Sequence, residues 1–417
     1  MVNTVKPVLA CRICGNTHLE TILELGDQML TGVFPKVIDP KAATTGPLTL
    51  VKCIGGDHVC GLVQLANSYD LSEMYGLNYG YRSGLNKSMV AHLRSKVDRI
   101  LSMTNLDSGD LVIDIGSNDG TTLAAYPQNE LNLVGVDPTG IKFAAYYPKH
   151  VQLITNFFSA KLIKERFPGK KAKVITSFSM FYDLEDPVDF MRNIHEVLED
   201  DGIWVFEQSY LPTMIDTNSF DTVCHEHLEF YCLKQIQFMA QKVGFQIIDV
   251  EFNDINGGSF SITVRKNSTA NANQVLPPIQ AILDKEKELG YDSLALFQDF
   301  AHRTKAAKDA ILVFLARAKL EGKTVAALGA STKGNVLLQY CQIKSKDIFC
   351  VGEVNQEKYG CFTPSTWLPI IPEDEMLAQK PDYLLVLPWH FKEFFLASKK
   401  FSGVKLVFPL PYLEVIG

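Results

Sequence analysis

The chain has 417 residues, 47% of them hydrophobic and 21% charged, with a formal net charge of −7. That is room for two or three domains, with the make-up of an ordinary soluble protein. It excludes a nucleic-acid surface or a polybasic membrane patch. No apolar run reaches the roughly 18 residues of a membrane span, and no long apolar signal segment opens the chain. A cytoplasmic protein with no nucleic-acid or membrane partner is expected.

Residues 1 to about 70 are rich in turns and short on periodicity. They hold Cys11-x-x-Cys14-Gly15, then Cys53 and Cys60-Gly61. A C-x-x-C-G turn presents two thiolates, and its glycine permits the bend. Four thiolates around zinc would hold together a segment whose own core is too small. The nine cysteines are an odd count without disulfide-framework spacing, so the close pair points to metal or buried thiols. Cys11, Cys14, Cys53 and Cys60 are the expected ligands of a structural zinc ion, with His18 or His58 able to replace one thiol. A closed four-thiolate site has no open position and receives no catalytic role.

Residues 71 to 105 read as helices joined by a tyrosine-rich loop holding Tyr75, Tyr79, Tyr81, Arg82 and Gly84. Val90, Leu93, Val97, Ile100 and Leu101 give Met89 to Leu101 a helical period. Tyrosines and an arginine in a glycine loop suit a flap over a small-molecule site. Packing against the next domain is the plainer alternative.

Leu111 to Ile115 is a short apolar run, as expected of a strand buried on both faces. Gly116-Ser117-Asn118-Asp119-Gly120 breaks it, and Thr121 can start a helix capped by Asp119 or Thr121. In an open α/β sheet such a turn lies at the carboxyl ends of the strands, where ligands bind. A second apolar strand, Leu131 to Val136, ends in Asp137, a carboxylate suited to a ribose diol. The glycine spacing is wrong for a dinucleotide fingerprint, and Asp119 would repel a pyrophosphate. A sulfonium with a zwitterionic tail fits better than either a pyrophosphate or an empty βαβ turn.

Further strands are expected at Val151 to Ile154, Val174 to Phe178 and Ile203 to Glu207. Phe190 to Leu198 is an amphipathic helix, and Asp200-Asp201-Gly202 a turn. The alternation predicts a doubly wound parallel sheet. Phe178, Ser179 and Tyr182 end one strand beside the same crevice. Glu207-Gln208-Ser209-Tyr210 ends another. Then follows Cys224-His225-Glu226-His227-Leu228-Glu229-Phe230-Tyr231. Two histidines around a glutamate can take and return a proton near neutral pH. The H-E-x-x-H metal spacing is absent. Asn256-Gly257-Gly258-Ser259 precedes a strand at Phe260 to Val264 and is either a substrate-binding turn or a plain hairpin.

Residues 266 to 276 read as a polar linker, and Pro278 to Lys319 as largely helical. Strand, glycine turn and helix recur at Thr324 to Leu328 and Gly329 to Asn335. Lys333 replaces the acidic residue here, so Ser331, Lys333 and Asn335 suit a diphosphate, although P-loop spacing fails. Strands at Ile348 to Val351, Tyr383 to Leu387 and Lys405 to Phe408 complete a smaller parallel α/β domain.

The pair DIGSNDG and GVDP resembles the adenosylmethionine site of class I methyltransferases. CGLVQL, YGYRSGLN, DIGSNDGT, EQSY, HEHLEFY, NGGS and GASTKGN, in that order over nearly the whole chain, resemble S-adenosylmethionine-dependent sugar C-methyltransferases acting on nucleotide-linked 4-keto-6-deoxyhexoses. The resemblance implies a zinc-binding domain at 1–70 and a central class I, Rossmann-like methyltransferase domain at 71–265, whose residues 71–105 form a substrate flap. It implies a helical linker and C-terminal Rossmann-like α/β domain at 266–417, helping to hold the nucleotide sugar. It implies methyl transfer to C3′ of that sugar through an enolate, with S-adenosylmethionine as cofactor and structural zinc.

On this resemblance His227 is the general base, Glu226 orients it or binds sugar, and His225 stabilises the enolate. Tyr79 and Tyr81 lie over the sugar. Asp114, Gly116, Ser117, Asn118, Asp119, Asp137, Phe178 and Ser179 hold the cofactor; Tyr81, Arg82, Tyr182, Tyr210, Asn256, Ser331, Lys333 and Asn335 hold the substrate. Similar proteins carry a tyrosine where this chain has Cys224. A monomer or weak homodimer is expected. The competing readings are an O- or N-methyltransferase with the same cofactor, or a non-catalytic nucleotide-sugar binding protein.

Overall fold

The computed structural model describes residues 5–56, 58–74, 81–127, 130–267 and 274–417. Among them a seven-stranded sheet is central. Its spatial order is Phe245–Asn253, Ser259–Lys266, Leu198–Ser209, Ala172–Phe178, Leu111–Ile115, Asn132–Val136, Val151–Ile154. The Ser259–Lys266 strand pairs antiparallel with both neighbours, and the remaining pairings are parallel. Five consecutive buried residues make Leu111–Ile115 the middle of the parallel part, as a strand covered on both faces requires. Helix Lys87–Met103, capped by Asn86 accepting from Ser88 N, lays Val97 and Ile100 against one face. Helix Pro187–Val197 covers the other, opened by Asp186 as cap and Pro187 in its first turn.

Three local expectations change. The DIGSNDG turn is followed by a single 3₁₀ turn, Leu123–Ala125, in place of a helix. Asp200–Gly202 does not interrupt the sheet; it lies inside the Leu198–Ser209 strand, where the pairing register shifts between Leu198 and Ile203. The strand expected at Ile348 to Val351 runs from Val351 to Glu353, leaving Ile348 a buried loop residue.

The N-terminal segment is more regular than its sequence suggests. Leu19–Met29, Thr45–Cys53 and Val63–Leu65 form an antiparallel sheet. A fourth strand, Glu229–Phe230, comes from the middle of the chain and pairs with Val63 and Gln64. One end of this sheet, with Ile13, Leu62 and the cysteines, packs on the core of the central sheet. The other end shares a core with the C-terminal sheet, Leu23, Leu48 and Leu50 joining Phe297, Phe300 and Val325.

The C-terminal sheet has six strands, ordered Ile370–Pro372, Val351–Glu353, Val325–Leu328, Tyr383–Val386, Lys405–Phe408 and Glu414–Ile416, the last antiparallel. The 26-residue helix Ala295–Leu320 buries Phe297, Phe300, Thr304, Ala307, Ile311 and Leu315, a stripe at three- and four-residue spacing. No helix among the described residues is long and apolar enough to cross a membrane.

Candidate active site

A cavity of about 260 Å³ opens at the carboxyl ends of the central strands. Asp114, Gly116, Ser117, Asn118, Asp137, Phe178, Ser179 and Tyr81 all line it. Gly116 has φ +71, which suits glycine, and a Cβ there would crowd Met180 Cγ at 3.1 Å. Asp137 Oδ2 accepts from Asn118 N at 2.8 Å; its Oδ1 accepts from Thr139 N and Oγ1, both at 2.6 Å. Three bonds fix the carboxylate, and a carboxylate has about four acceptor positions, so capacity is left for a hydroxyl in the cavity. Asp114 is buried and its carboxyl is pushed up to about 7 by that burial; Thr176 Oγ1 donates to it at 2.6 Å. A cavity walled by Phe178, Met180 and Val136 with an acidic end at Asp137 fits an adenosine-bearing sulfonium.

Asp119 has a different job from the one expected. It is absent from the cavity wall. Its Oδ2 accepts from Gly84 N at 3.0 Å and lies 3.7 Å from Arg82 Nε. Asn118 Oδ1 accepts from Ser83 N, and its Nδ2 donates to Tyr81 O. The turn thus straps the Tyr81–Gly84 segment down. Arg82 lies over the Tyr146 ring at 3.9 Å. Tyr81 borders the cofactor cavity. Tyr75 and Tyr79 lie outside the described residues.

The Ser179–Asp183 segment is a shared wall. Ser179, Met180 and Asp183 line the cavity, whereas the Tyr182 ring meets His227 edge-on with centroids 4.4 Å apart. Tyr182 O accepts from Leu228 N at 2.8 Å. His227 Nδ1 lies 2.8 Å from Thr222 O. A carbonyl only accepts, so Nδ1 carries the proton and Nε2 keeps its lone pair. Burial, with help from Lys333, pushes His227 down to about 4, so the imidazole is neutral at pH 7.

Glu226 faces Thr31, whose Oγ1 donates to Oε2 at 3.5 Å, and it crowds Gly32. Burial raises its carboxyl. His225 is 0% exposed. Its ring meets Tyr69 edge-on at 4.6 Å, its Nδ1 lies 3.5 Å from Thr31 Oγ1, and its Nε2 has no hydrogen-bond partner. Pairing of Glu229–Phe230 with the N-terminal sheet turns His225 into that core, so the enolate-stabilising role expected of it has no access to substrate. Cys224 is likewise buried.

Three other expected substrate contacts have partners within the protein. Tyr210 OH donates to Glu286 Oε1 at 2.8 Å. In the C-terminal turn, Gly334 N donates to Ser331 Oγ, Asn335 Nδ2 to Thr31 O, and Ala330 N to Glu353. Lys333 Nζ donates to Asn256 O at 2.6 Å, which joins the GASTKGN and NGGS turns at the His227 crevice. The sequence reading missed Asp221, Trp389 and His390. Trp389 Nε1 donates to Asp221 Oδ2 at 2.8 Å, and His390 Cβ would be 3.8 Å from a Cβ on Gly257. The available signal was position: Trp389-His390 follows the carboxyl end of the Tyr383–Val386 strand.

The four cysteine sulfurs lie within 4.8 Å of one another. Cys11 and Cys60 are 3.4 Å apart, Cys14 and Cys53 3.6 Å. Tetrahedral zinc at about 2.3 Å from each sulfur needs separations of about 3.8 Å, so the cluster fits. Asn16 Nδ2 donates to Cys53 Sγ, and neither His18 nor His58 belongs to the cluster.

Family profiles match in three places: a zinc-binding domain at residues 11–75, a methyltransferase domain at 85–250, and a C-methyltransferase C-terminal domain at 254–411. The chain is 28% identical over 421 residues to the C-methyltransferase NovU of Streptomyces niveus, covering 100% of this chain and 99% of that protein. Among solved structures, a chain of the complex between the Haloferax volcanii Trm112 methyltransferase activator and a methyltransferase matches 44% of this chain and 95% of its own length, at 13% identity and a TM-score of 0.36. The CcbJ methyltransferase of Streptomyces caelestis matches 42% and 90%, at 13% identity and a TM-score of 0.33.

Proposed function

Because the chain belongs to the S-adenosylmethionine-dependent C-methyltransferases, we propose that it methylates C3′ of a nucleotide-linked 4-keto-6-deoxy sugar through an enolate. Bound S-adenosylmethionine supplies an electrophilic methyl group, which a carbon nucleophile takes as the sulfur leaves as a thioether. A carbon nucleophile needs a base beside a ketone, and a pocket closed to water.

The observation that carries this reading is His227. Its tautomer is set by Thr222 O, it is neutral at pH 7, and it sits behind the wall of the cofactor cavity. His227 is the base in this scheme, taking the C3′ proton on Nε2. Glu226 faces the same crevice and positions sugar hydroxyls. Tyr182 fixes the imidazole plane, and Asp137 holds the ribose end of the cofactor. We divide the chain at 70 and 265: a zinc-bearing segment, a methyl-transfer domain with its flap, and a domain that covers the sugar nucleotide. None of the nine cysteines is in a disulfide, which agrees with work in a reducing cytoplasm.

The test is incubation with S-adenosylmethionine and a panel of nucleotide-linked 4-keto-6-deoxysugars in D2O, read by mass spectrometry. One methyl retained on a carbon fragment supports the proposal. Methylation on oxygen or nitrogen without deuterium uptake overturns it.

A further inference from the structure

We propose that the Lys333 side chain is the catalytic electrophile: its ammonium binds the substrate's ketone oxygen and takes up the charge formed there when His227 removes the neighbouring proton. The proposal rests on the enolate reading above and names the group which that reading lacks. An enolate needs a donor or cation at its oxygen, because charge moves from the C–H bond onto that atom. His225, the residue the motif offers, is sealed in the N-terminal core.

Lys333 arrives from the C-terminal domain. Its Nζ spends one donor on Asn256 O at 2.6 Å, and an ammonium has three. Asn256 is in the left-handed region, φ 55, which turns its carbonyl to the lysine. A Cβ on Gly257 would lie 3.9 Å from Nζ and 3.8 Å from His390 Cβ, so glycine leaves room between the ammonium and His390.

The charged surroundings support the assignment. Asp221, Cys224, His227 and His390 are the titratable groups whose charges couple to Lys333. Burial holds the Cys224 thiol protonated and both imidazoles neutral. Asp221 is anchored through Oδ2 by Trp389, while Oδ1 is buried without a hydrogen bond. Burial lowers Lys333 and raises the Asp221 carboxyl, and the attraction between the two opposes both shifts, so Lys333 is the cation of the set. A diphosphate clamp is the poorer use of this residue. Gly334 N, Ala330 N and Asn335 Nδ2 are already bonded, to Ser331 Oγ, Glu353 and Thr31 O, and the Glu353 carboxylate beneath the turn would repel a diphosphate.

In the step, His227 Nε2 takes the proton. The C–H electron pair becomes the carbon–carbon double bond, and the carbonyl π pair moves to the oxygen held by Lys333. That pair returns to re-form the ketone when the carbon bonds to methyl, and His227 releases its proton to water.

The experiment measures deuterium exchange next to the ketone in D2O, at saturating 4-keto-6-deoxysugar nucleotide and with S-adenosylhomocysteine present. Lys333→Gln keeps a donor for Asn256 O but loses the charge. Its exchange should fall about 10²–10³-fold. Affinity for thymidine or guanosine diphosphate, whichever the wild type binds, should change less than about threefold. Lys333→Arg keeps the charge and should lie between wild type and Lys333→Gln. Exchange at the wild-type rate in Lys333→Gln, with or without weakened diphosphate binding, overturns the proposal. A wild type that neither exchanges nor methylates any sugar overturns the enolate reading itself, a separate result.

Discussion

Gly32 offers a sharp test, because it lies in the N-terminal segment and yet abuts Glu226, the carboxylate proposed to position the sugar. A Cβ at Gly32 would sit 3.4 Å from Glu226 Cδ and inside the contact envelope of Oε1, with Thr332 Oγ1 at 3.8 Å. In Gly32→Ala the carboxylate must retreat by roughly 1 Å to regain van der Waals distance. Gly32 is not among the positive-φ residues, so alanine can take its backbone conformation. The fold should therefore survive. An alanine at a compatible site gains about 0.4–1 kcal/mol through the unfolded chain, and a displaced rotamer costs about 0.5–1.5 kcal/mol. The two nearly cancel. Misplacing a positioning group by 1 Å can cost about 10²-fold in rate, or about 2.7 kcal/mol. We expect kcat/KM for methylation to fall about 30- to 100-fold, with S-adenosylmethionine affinity unchanged by calorimetry and the melting temperature within about 2 °C. Gly56→Ala, with nothing within 4 Å of the added Cβ, is the control. Wild-type kinetics in Gly32→Ala would refute the placement of Glu226 in the working site.

Other expectations follow from the same geometry. His227 is held at about 4, and a base works only unprotonated; kcat/KM should therefore be flat from pH 7 down to 5.5, whereas a base at 6.5 would lose about tenfold over that interval. His227→Ala should abolish exchange and methylation while S-adenosylmethionine still binds. Asp137→Asn removes a charged acceptor worth about 1.5–3 kcal/mol per hydrogen bond, so cofactor affinity should drop tenfold or more by calorimetry; an unchanged affinity would remove Asp137 from the site. Metal analysis should find zinc in the purified protein, and Cys11→Ser should lose it together with the near-UV signal of the N-terminal sheet. Arg12→Met should destabilise by roughly 1–3 kcal/mol in denaturant, because it leaves Leu65 O and Ser68 Oγ without their donor and removes the cation beside the Glu229 carboxyl, which burial already pushes up; adding Glu229→Gln should recover part of that loss, and no recovery would disconnect the two.

How far the sequence could be read depended on how local the signal was. Leu111–Ile115, Val151–Ile154 and Lys405–Phe408 are short strands inside parallel sheets, and each reads as an apolar run. The Cys11–Cys14 knuckle carries its chemistry in its spacing. Leu19–Met29 and Thr45–Cys53 escaped because register shifts between Thr21 and Leu23, and again between Glu24 and Asp27, break the period of two. The HEHLEFY segment displayed its chemistry but not its orientation. That His225 is the histidine sealed in the N-terminal core goes with the pairing of Phe230 with Val63, a contact far along the chain. Asp221, Trp389 and His390 carry no motif, and only the folded crevice brings them to Lys333. Asp119 misled for a related reason: an acidic residue in a glycine turn looks the same whether it meets a ligand or the Gly84 amide.

The position of Arg12 explains why a closed zinc site belongs in such an enzyme. Arg12 lies between two thiolate ligands, and its side chain is 3% exposed. Its guanidinium donates to Leu65 O and to Ser68 Oγ, and it lies 3.6 Å from both Glu185 and Glu229. Glu185 lines the cofactor cavity, and Glu229 follows His227 by two residues. One side chain on the knuckle therefore fixes the cofactor wall and the base-bearing segment together. The segment cannot supply that rigidity from its own core, which is shared at one end with the central sheet and at the other with the C-terminal sheet. Four metal–sulfur bonds hold the knuckle where hydrophobic burial alone would leave it loose. With His227 as the proposed base, a closed four-thiolate zinc site would contribute no chemistry of its own and would act by holding this segment in place, which is what a reaction at a positioned carbon requires.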